Sequence, residues 1–185
     1  MSPFRKLLKD FCADRRGAIL TEIALSLPLY MVLLMGTVEV GNYLLLHLKL
    51  QHTVVAVSDL ATRDEEITEA VMADIFQVVP QIMSPYDTDA HAVTYVSAIS
   101  QAEDVPATIY WQRSGGSLIH NSEIGNEGEA ITVPAGLTLR DDETILATEI
   151  FYSYEPLIFS FLDSYTISKT SYFRPRIGAL QEMQP

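Results

Sequence analysis

Residues 18–46 read AILTEIALSLPLYMVLLMGTVEVGNYLLL, 29 positions whose only charges are Glu22 and Glu39. As a helix, at ~1.5 Å per residue, this run reaches roughly 43 Å. The hydrocarbon core of a bilayer needs only ~30 Å, or about 20 residues. The apolar region of a secretory signal is shorter than this run, and no convincing A-x-A cleavage site follows it. The run therefore predicts a retained membrane-spanning helix. Residues 1–16 carry five basic and two acidic side chains. The positive-inside bias then places the N-terminus in the cytoplasm and the bulk of the chain outside.

The polar and helix-breaking residues inside the run need separate accounts. A carboxylate at the bilayer centre costs roughly 2.5–3.5 kcal/mol on insertion scales. Glu39 lies 17 residues beyond Glu22, about 25 Å along a helix. If Glu22 is near the inner boundary, Glu39 falls near the outer one, and its depth accounts for it. Glu22 is either a snorkelling, solvated carboxylate or one with a designated cationic partner. Pro28 removes one helix hydrogen bond, which membrane helices tolerate. Gly36 and Gly41 would let another helix approach closely, although their spacing is not that of a small-xxx-small motif.

From His47 onward the pattern becomes amphipathic. Leu50, Val54, Val57 and Ala61 stand at i, i+4, i+7 and i+11, along one helical face. Residues 47–63 thus extend the spanning helix into water, with an apolar stripe that must pack on something.

Residues 64–185 form a separate, acidic part. They carry five Lys/Arg against nineteen Asp/Glu, whereas residues 1–63 carry seven against five. Such a balance disfavours nucleic-acid binding and docking of this part on anionic lipid. A solvated surface accounts for it. Residues 64–79 (DEEITEAVMADIFQVV) predict a second helix, with Asp64, Glu65 and Glu66 in its first turn and Ile67, Val71, Ile75 and Val78 at helical spacing. Two prolines make residues 80–89 a loop. Strands are predicted around Val93–Ile99, over residues 107–112, along TILATEIFYSYEP and over residues 165–173. Residues 113–130 hold four of the chain's nine glycines and predict a long exposed loop or irregular hairpin. PLIFSFLD, between the last two strands, reads as a helical turn or a hydrophobic connection, either core or a subunit contact. The expected class is α+β, with an antiparallel sheet packed on the amphipathic part of the long helix.

Chemistry-bearing patterns are weak. His47 and His52 are five apart, not the four of a helical metal pair. Asp87-x-Asp89-x-His91 lacks the other ligands and the glycine of a calcium loop, and reads as a polar turn. Cys12 has no second cysteine to pair with. Tyr110 and Trp111 read as core, with a binding role as the alternative. No metal, cofactor or catalytic residue is expected.

Gly17-Ala18-Ile19-Leu20-Thr21-Glu22 fits the G-x4-E site after whose glycine prepilin peptidases cut. RRG, then EIALSLP and GTVEVGNY, closely resembles the N-terminal signature of TadE-like minor pseudopilins of tight-adherence (Flp-type, type IV) pili. YSYEPLIFSFLDSYTISKTSYFRPR is similar to the C-terminal pattern of that family. The resemblance implies a basic leader over residues 1–17, a transmembrane and assembly helix over 18–46 with its extension over 47–63, and a pilin-like extracytoplasmic domain over 64–185. It also implies cleavage between Gly17 and Ala18, and pairing of Glu22 with the amine so created, a pair that attracts strongly in low dielectric. The implied partners are a prepilin peptidase, other pilin or pseudopilin subunits, the assembly machinery and the inner membrane. The implied location is the bacterial inner membrane, single-pass, with a periplasmic C-terminal domain. Ile23, where the main pilins of these systems have Tyr, and the large domain both fit a minor subunit. Two alternatives stay open: an unprocessed bitopic protein whose outer domain binds a ligand or partner, and a metal hydrolase built on Asp87, Asp89 and His91.

Overall fold

The computed structural model describes residues 17–63, 67–101, 105–134, 137, 139–140, 143–159, 163–175 and 183–184. The chain divides into two compact units, Met1–Asn42 and Tyr43–Pro185. Helix α1, Ala18–Ala61, begins in the first and ends in the second.

In the second unit, strand β1 (Ile67–Thr68) leads into helix α2 (Glu69–Met83). Strands β2 (Ala92–Gln101), β3 (Thr108–Gly116), β4 (Glu143–Tyr154) and β5 (Tyr165–Phe173) follow, and β6 (Met183–Gln184) closes the described chain. The main sheet has the order β3-β2-β4-β5, antiparallel throughout; β6 pairs parallel with β1. The architecture is α+β, as the sequence predicts.

The stripe on the stem of α1 is the centre of the core. Leu46, Leu50, Val54 and Val57 have no exposed surface and Ala61 almost none. They share one cluster with Met72, Ile75, Val79 and Met83 of α2 and with Val96, Ala98, Trp111, Leu146 and Ile150 of the sheet. Full burial of each such Leu or Val stabilises by about 1.5–3 kcal/mol. Several polar side chains inside this layer are satisfied, whereas His47 Nε2 of the stem and Thr144 Oγ1 of β4 are buried without a hydrogen bond among the described residues. Ser58 Oγ donates to Thr148 Oγ1 at 2.8 Å and bonds Ser171 Oγ at 2.7 Å, and Ser171 Oγ donates to Val54 O at 3.1 Å. Thr148 and Ser171 are register partners on β4 and β5, so one serine of the helix ties two strands at one level. Lys49 Nζ donates to Ile82 O at 3.0 Å. It thereby satisfies a carbonyl in the last turn of α2, where a cation also suits the helix dipole.

Helix α2 differs from expectation at both ends. It starts at Glu69 rather than residue 64, because Ile67 and Thr68 are extended beside Met183 and Gln184. Thr68 is its N-cap, accepting from Val71 N at 3.3 Å. The predicted first turn, Asp64–Glu66, lies outside the described residues. The buried face is Met72, Ile75, Val79 and Met83, so Val71 and Val78 flank it. Pro80 does not end the helix: it continues to Met83, and Pro80 O accepts from Ser84 N at 3.1 Å. The residue before a proline avoids the helical region, and here that boundary falls at Ser84, before Pro85.

Residues 113–130 divide at Gly116, where strand β3 ends. From 117 to 129 the chain has no helix or strand and no buried residue, the exposed loop that the sequence predicts, although it and the chain beyond it also cover the sheet. Ile124, Ile131, Val133, Leu137 and Leu139 pack against Ile99, Ala107, Ile109, Ile145 and Ala147, a second core on the other side of the sheet. In β4 every residue from 144 to 152 is buried. A strand covered on one face alternates between buried and exposed, so a nine-residue buried run requires a cover on both. Gly115 and Gly116 belong to this edge. A Cβ on Gly115 would stand 2.4 Å from Phe76 Cγ of α2, and Gly116 has φ +109°.

Candidate functional site

The residues singled out by sequence cluster in the first unit. Gly17 is an exposed turn residue directly before α1, and a Cβ there would meet nothing within 4 Å. Its carbonyl accepts from Thr21 N at 3.1 Å. Ala18 is the first residue of α1. Glu22 follows one turn later, at i+4, where side chains share a face about 5–6 Å apart at Cβ. The Glu22 side chain is exposed. Near a helix N-terminus a carboxylate also meets the positive end of the helix dipole. Arg15 and Arg16 of the leader, and Cys12, lie outside the described residues.

Between Glu22 and Glu39 the helix carries no charged residue and is exposed and apolar on every side. Leu20, Leu25, Leu29, Val32 and Leu34 are all more than half exposed. This is the one helix among the described residues long and apolar enough to cross a membrane. A helix greasy on every side needs lipid or other helices around it. The hydroxyls within it are consistent with lipid: Thr21 Oγ1 donates to Ala18 O at 2.8 Å, Ser26 Oγ to Ile23 O at 3.3 Å and Thr37 Oγ1 to Leu33 O at 2.9 Å. Each is satisfied inside its own helix, as hydrocarbon requires. Sequence reading missed this, although Ser or Thr in an apolar helix is itself the signal.

Pro28 lies inside α1 without ending it. Gly36 and Gly41 have nothing within 4 Å of an added Cβ, so no neighbour within the described chain requires glycine at either. Glu39 is the one buried residue among 17–42, at 9 % exposure, and it has an interaction partner.

The outer residues considered by sequence resolve differently. Trp111 is core, 3 % exposed, while Tyr110 is exposed. Asp87 Oδ1 accepts from Asp89 N at 2.9 Å, a turn-forming bond. Among the described residues no group of three His, Cys, Asp or Glu is placed to hold a metal. Leu157 is exposed rather than core; residues 160–162 of the same apolar segment lie outside the described chain. A cleft of about 410 Å³ opens between α2 and the β2–β3 edge, lined by Phe76, Val79, Pro80, Thr94 and Gly115 among others.

One buried acid was not foreseen. Glu149, 1 % exposed, faces the second core. Ser122 Oγ donates to Glu149 Oε2, and Glu123 N donates to Oε1 at 3.0 Å. Burial pushes its carboxyl above the ordinary range. The bonds from Ser122, Glu123 and Ile124 oppose that shift, and the Glu123 charge adds to it. The side chain anchors the covering segment to the sheet.

Residues 17–58 match the family model described as TadE-like protein. The match begins at Gly17 and ends within the buried stem of α1. No curated protein and no solved structure matches the chain.

Proposed function

We propose that this chain is a minor pseudopilin, a structural component of the tight-adherence pilus apparatus, made as a single-pass membrane precursor and trimmed by a prepilin peptidase between Gly17 and Ala18. The observation that carries the proposal is the TadE-like match over residues 17–58, which starts at that bond. Three structural features support it. Gly17 stands exposed in a turn directly ahead of the helix, open to a peptidase. Cutting leaves an amine at the first residue of α1, one turn from the exposed Glu22 carboxylate. The apolar surface of α1 suits first lipid and then neighbouring helices of pilin-like subunits. Assembly, not catalysis, is the activity.

Intact-mass analysis of the protein from its native host tests the processing step: the mature N-terminus is Ala18, and a chain beginning at Met1 or Ser2 refutes it. Glu22→Leu tests the pairing. Membrane insertion is retained and pilus number falls; an unchanged pilus number rules out the role given to Glu22. The cleft beside α2 favours a second reading, an unprocessed bitopic protein whose outer domain binds a partner. It predicts an uncut leader and full function with Gly17→Leu.

A further inference from the structure

We propose that the start of the β4–β5 connection, residues 155–159, sits in the headgroup–acyl boundary of the membrane, with Leu157 as the inserted side chain and the exposed Tyr165, backed by Tyr43 and the buried Tyr154, as its interfacial aromatic. The inference rests on α1 being a membrane helix, and it adds a second point of contact between the protein and lipid.

The direction of β4 within the second unit is the first argument. Ser58 of α1 meets Thr148 of β4. Further toward the helix N-terminus, the Tyr43 ring lies 5.7 Å from that of Tyr154 and 6.4 Å from that of Tyr165. Residues 58 to 43 span about 22 Å of helix, and residues 148 to 154 span about 20 Å of strand. The two elements therefore run side by side, with the C-terminal end of β4 at Tyr43. Tyr43 is also where the second unit joins the apolar span. The β4–β5 connection thus leaves the sheet at the end of the domain from which the chain enters lipid.

The chemistry at that end is the second argument. Leu157 is 66 % exposed, and at the same end of the unit Leu44 and Leu45 of α1 are exposed as well. Pro156, Ile158 and Phe159 beside it are apolar and half-buried. Tyr154 and Tyr165 flank the connection and stack edge-on at 5.6 Å. Tyrosine, apolar in body and polar at its tip, favours the membrane–water interface. Glu155 and Asp163, also exposed, bracket the segment, so attraction to anionic headgroups is not the driving force. Apolar insertion is, and a zwitterionic bilayer suffices.

The test uses the full chain with Cys12 replaced by Ser, reconstituted alone in phosphatidylcholine vesicles. A single cysteine carrying an environment-sensitive fluorophore is placed by Leu157→Cys, Leu29→Cys or Val105→Cys. Val105 is the exposed apolar control at the other end of the sheet. Lipids with a quencher near the headgroup should remove most of the fluorescence at position 157 and little at 105, while a quencher deep in the acyl chains acts on position 29. Quenching at 157 no greater than at 105, with 29 quenched, overturns this inference and leaves the spanning helix standing. An unquenched position 29 overturns both. Because no other protein is present, quenching at 157 reports lipid alone.

Discussion

Leu50 and Leu48 lie two residues apart on α1, and the structure gives them opposite fates: Leu50 is wholly buried, Leu48 68 % exposed. Leu50→Ala removes three buried carbons and leaves a cavity among the stem, α2 and the sheet. Fully buried Leu→Ala changes cost about 2.7–5.0 kcal/mol, the upper part where the site cannot collapse. Here the cavity is walled by two helices and a sheet pinned by the Ser58–Thr148–Ser171 bonds, so a loss of about 3 kcal/mol or more is expected. For a domain of this size each kcal/mol moves Tm by about 2–4 °C, giving a drop of roughly 6–12 °C. Leu48→Ala should change stability by no more than about 0.5 kcal/mol. Thermal unfolding of the full chain in a non-ionic detergent, followed by fluorescence, reads both variants. Trp111 is the only tryptophan and belongs to the same core as Leu50, so its signal reports that packing directly. Equal shifts for the two variants, or a larger one for Leu48→Ala, would refute the docking of the stem on the sheet through this face.

Ser58→Ala removes the hydroxyl shared by Thr148 and Ser171, and leaving buried partners unmet costs about 1–3 kcal/mol; thermal unfolding measures it, and Ser58→Thr should not restore the loss because the added methyl has no space in a closed layer. Gly115→Ala drives a Cβ into Phe76 and should cost about 1–3 kcal/mol, with Phe76→Leu in the same chain recovering part; additive losses would show that the two positions do not touch. Glu149 predicts a pH effect. Its folded pKa is raised, so the unfolded chain gives up this proton first as pH rises. The stability contributed by the protonated acid is complete below the unfolded value, near 4.5, and is lost as pH rises through the folded value. Glu149→Gln should flatten that part of the Tm-against-pH curve, and an unaltered slope in the variant assigns the effect to another group.

Much of this molecule follows from local pattern. The apolar run of α1 needs no tertiary partner to be recognised, because its length and all-round greasiness are properties of the chain. The stripe Leu50, Val54, Val57 and Ala61 was legible because a helix facing one sheet repeats its apolar residues every three to four positions. Strand β5 was legible for the related reason that it is an edge strand, with exposed and buried positions in one register. The G-x4-E site is likewise a linear signal, and the TadE-like match covers the same stretch.

What the sequence left open depends on contacts between distant segments. Residues 64–79 have helical spacing throughout, but the true start of α2 is decided by β6, more than a hundred residues later, which holds Ile67 and Thr68 extended. The glycine-rich stretch after β3 reads as exposed, and it is, but nothing local showed that Ile124, with Ile131 and Val133 beyond it, covers the second face of β4. Glu149 carries no signal of its burial in the sequence; the covering segment closes over it, and Ser122 and Glu123 supply its hydrogen bonds. Sequence alone thus determined the helix long and apolar enough to cross a membrane, its amphipathic stem and the candidate processing site, since each rests on the periodicity or order of neighbouring residues. Tertiary structure decided which faces of the sheet are covered, where α2 begins and which carboxylate is buried, since each depends on a surface that the local chain does not carry.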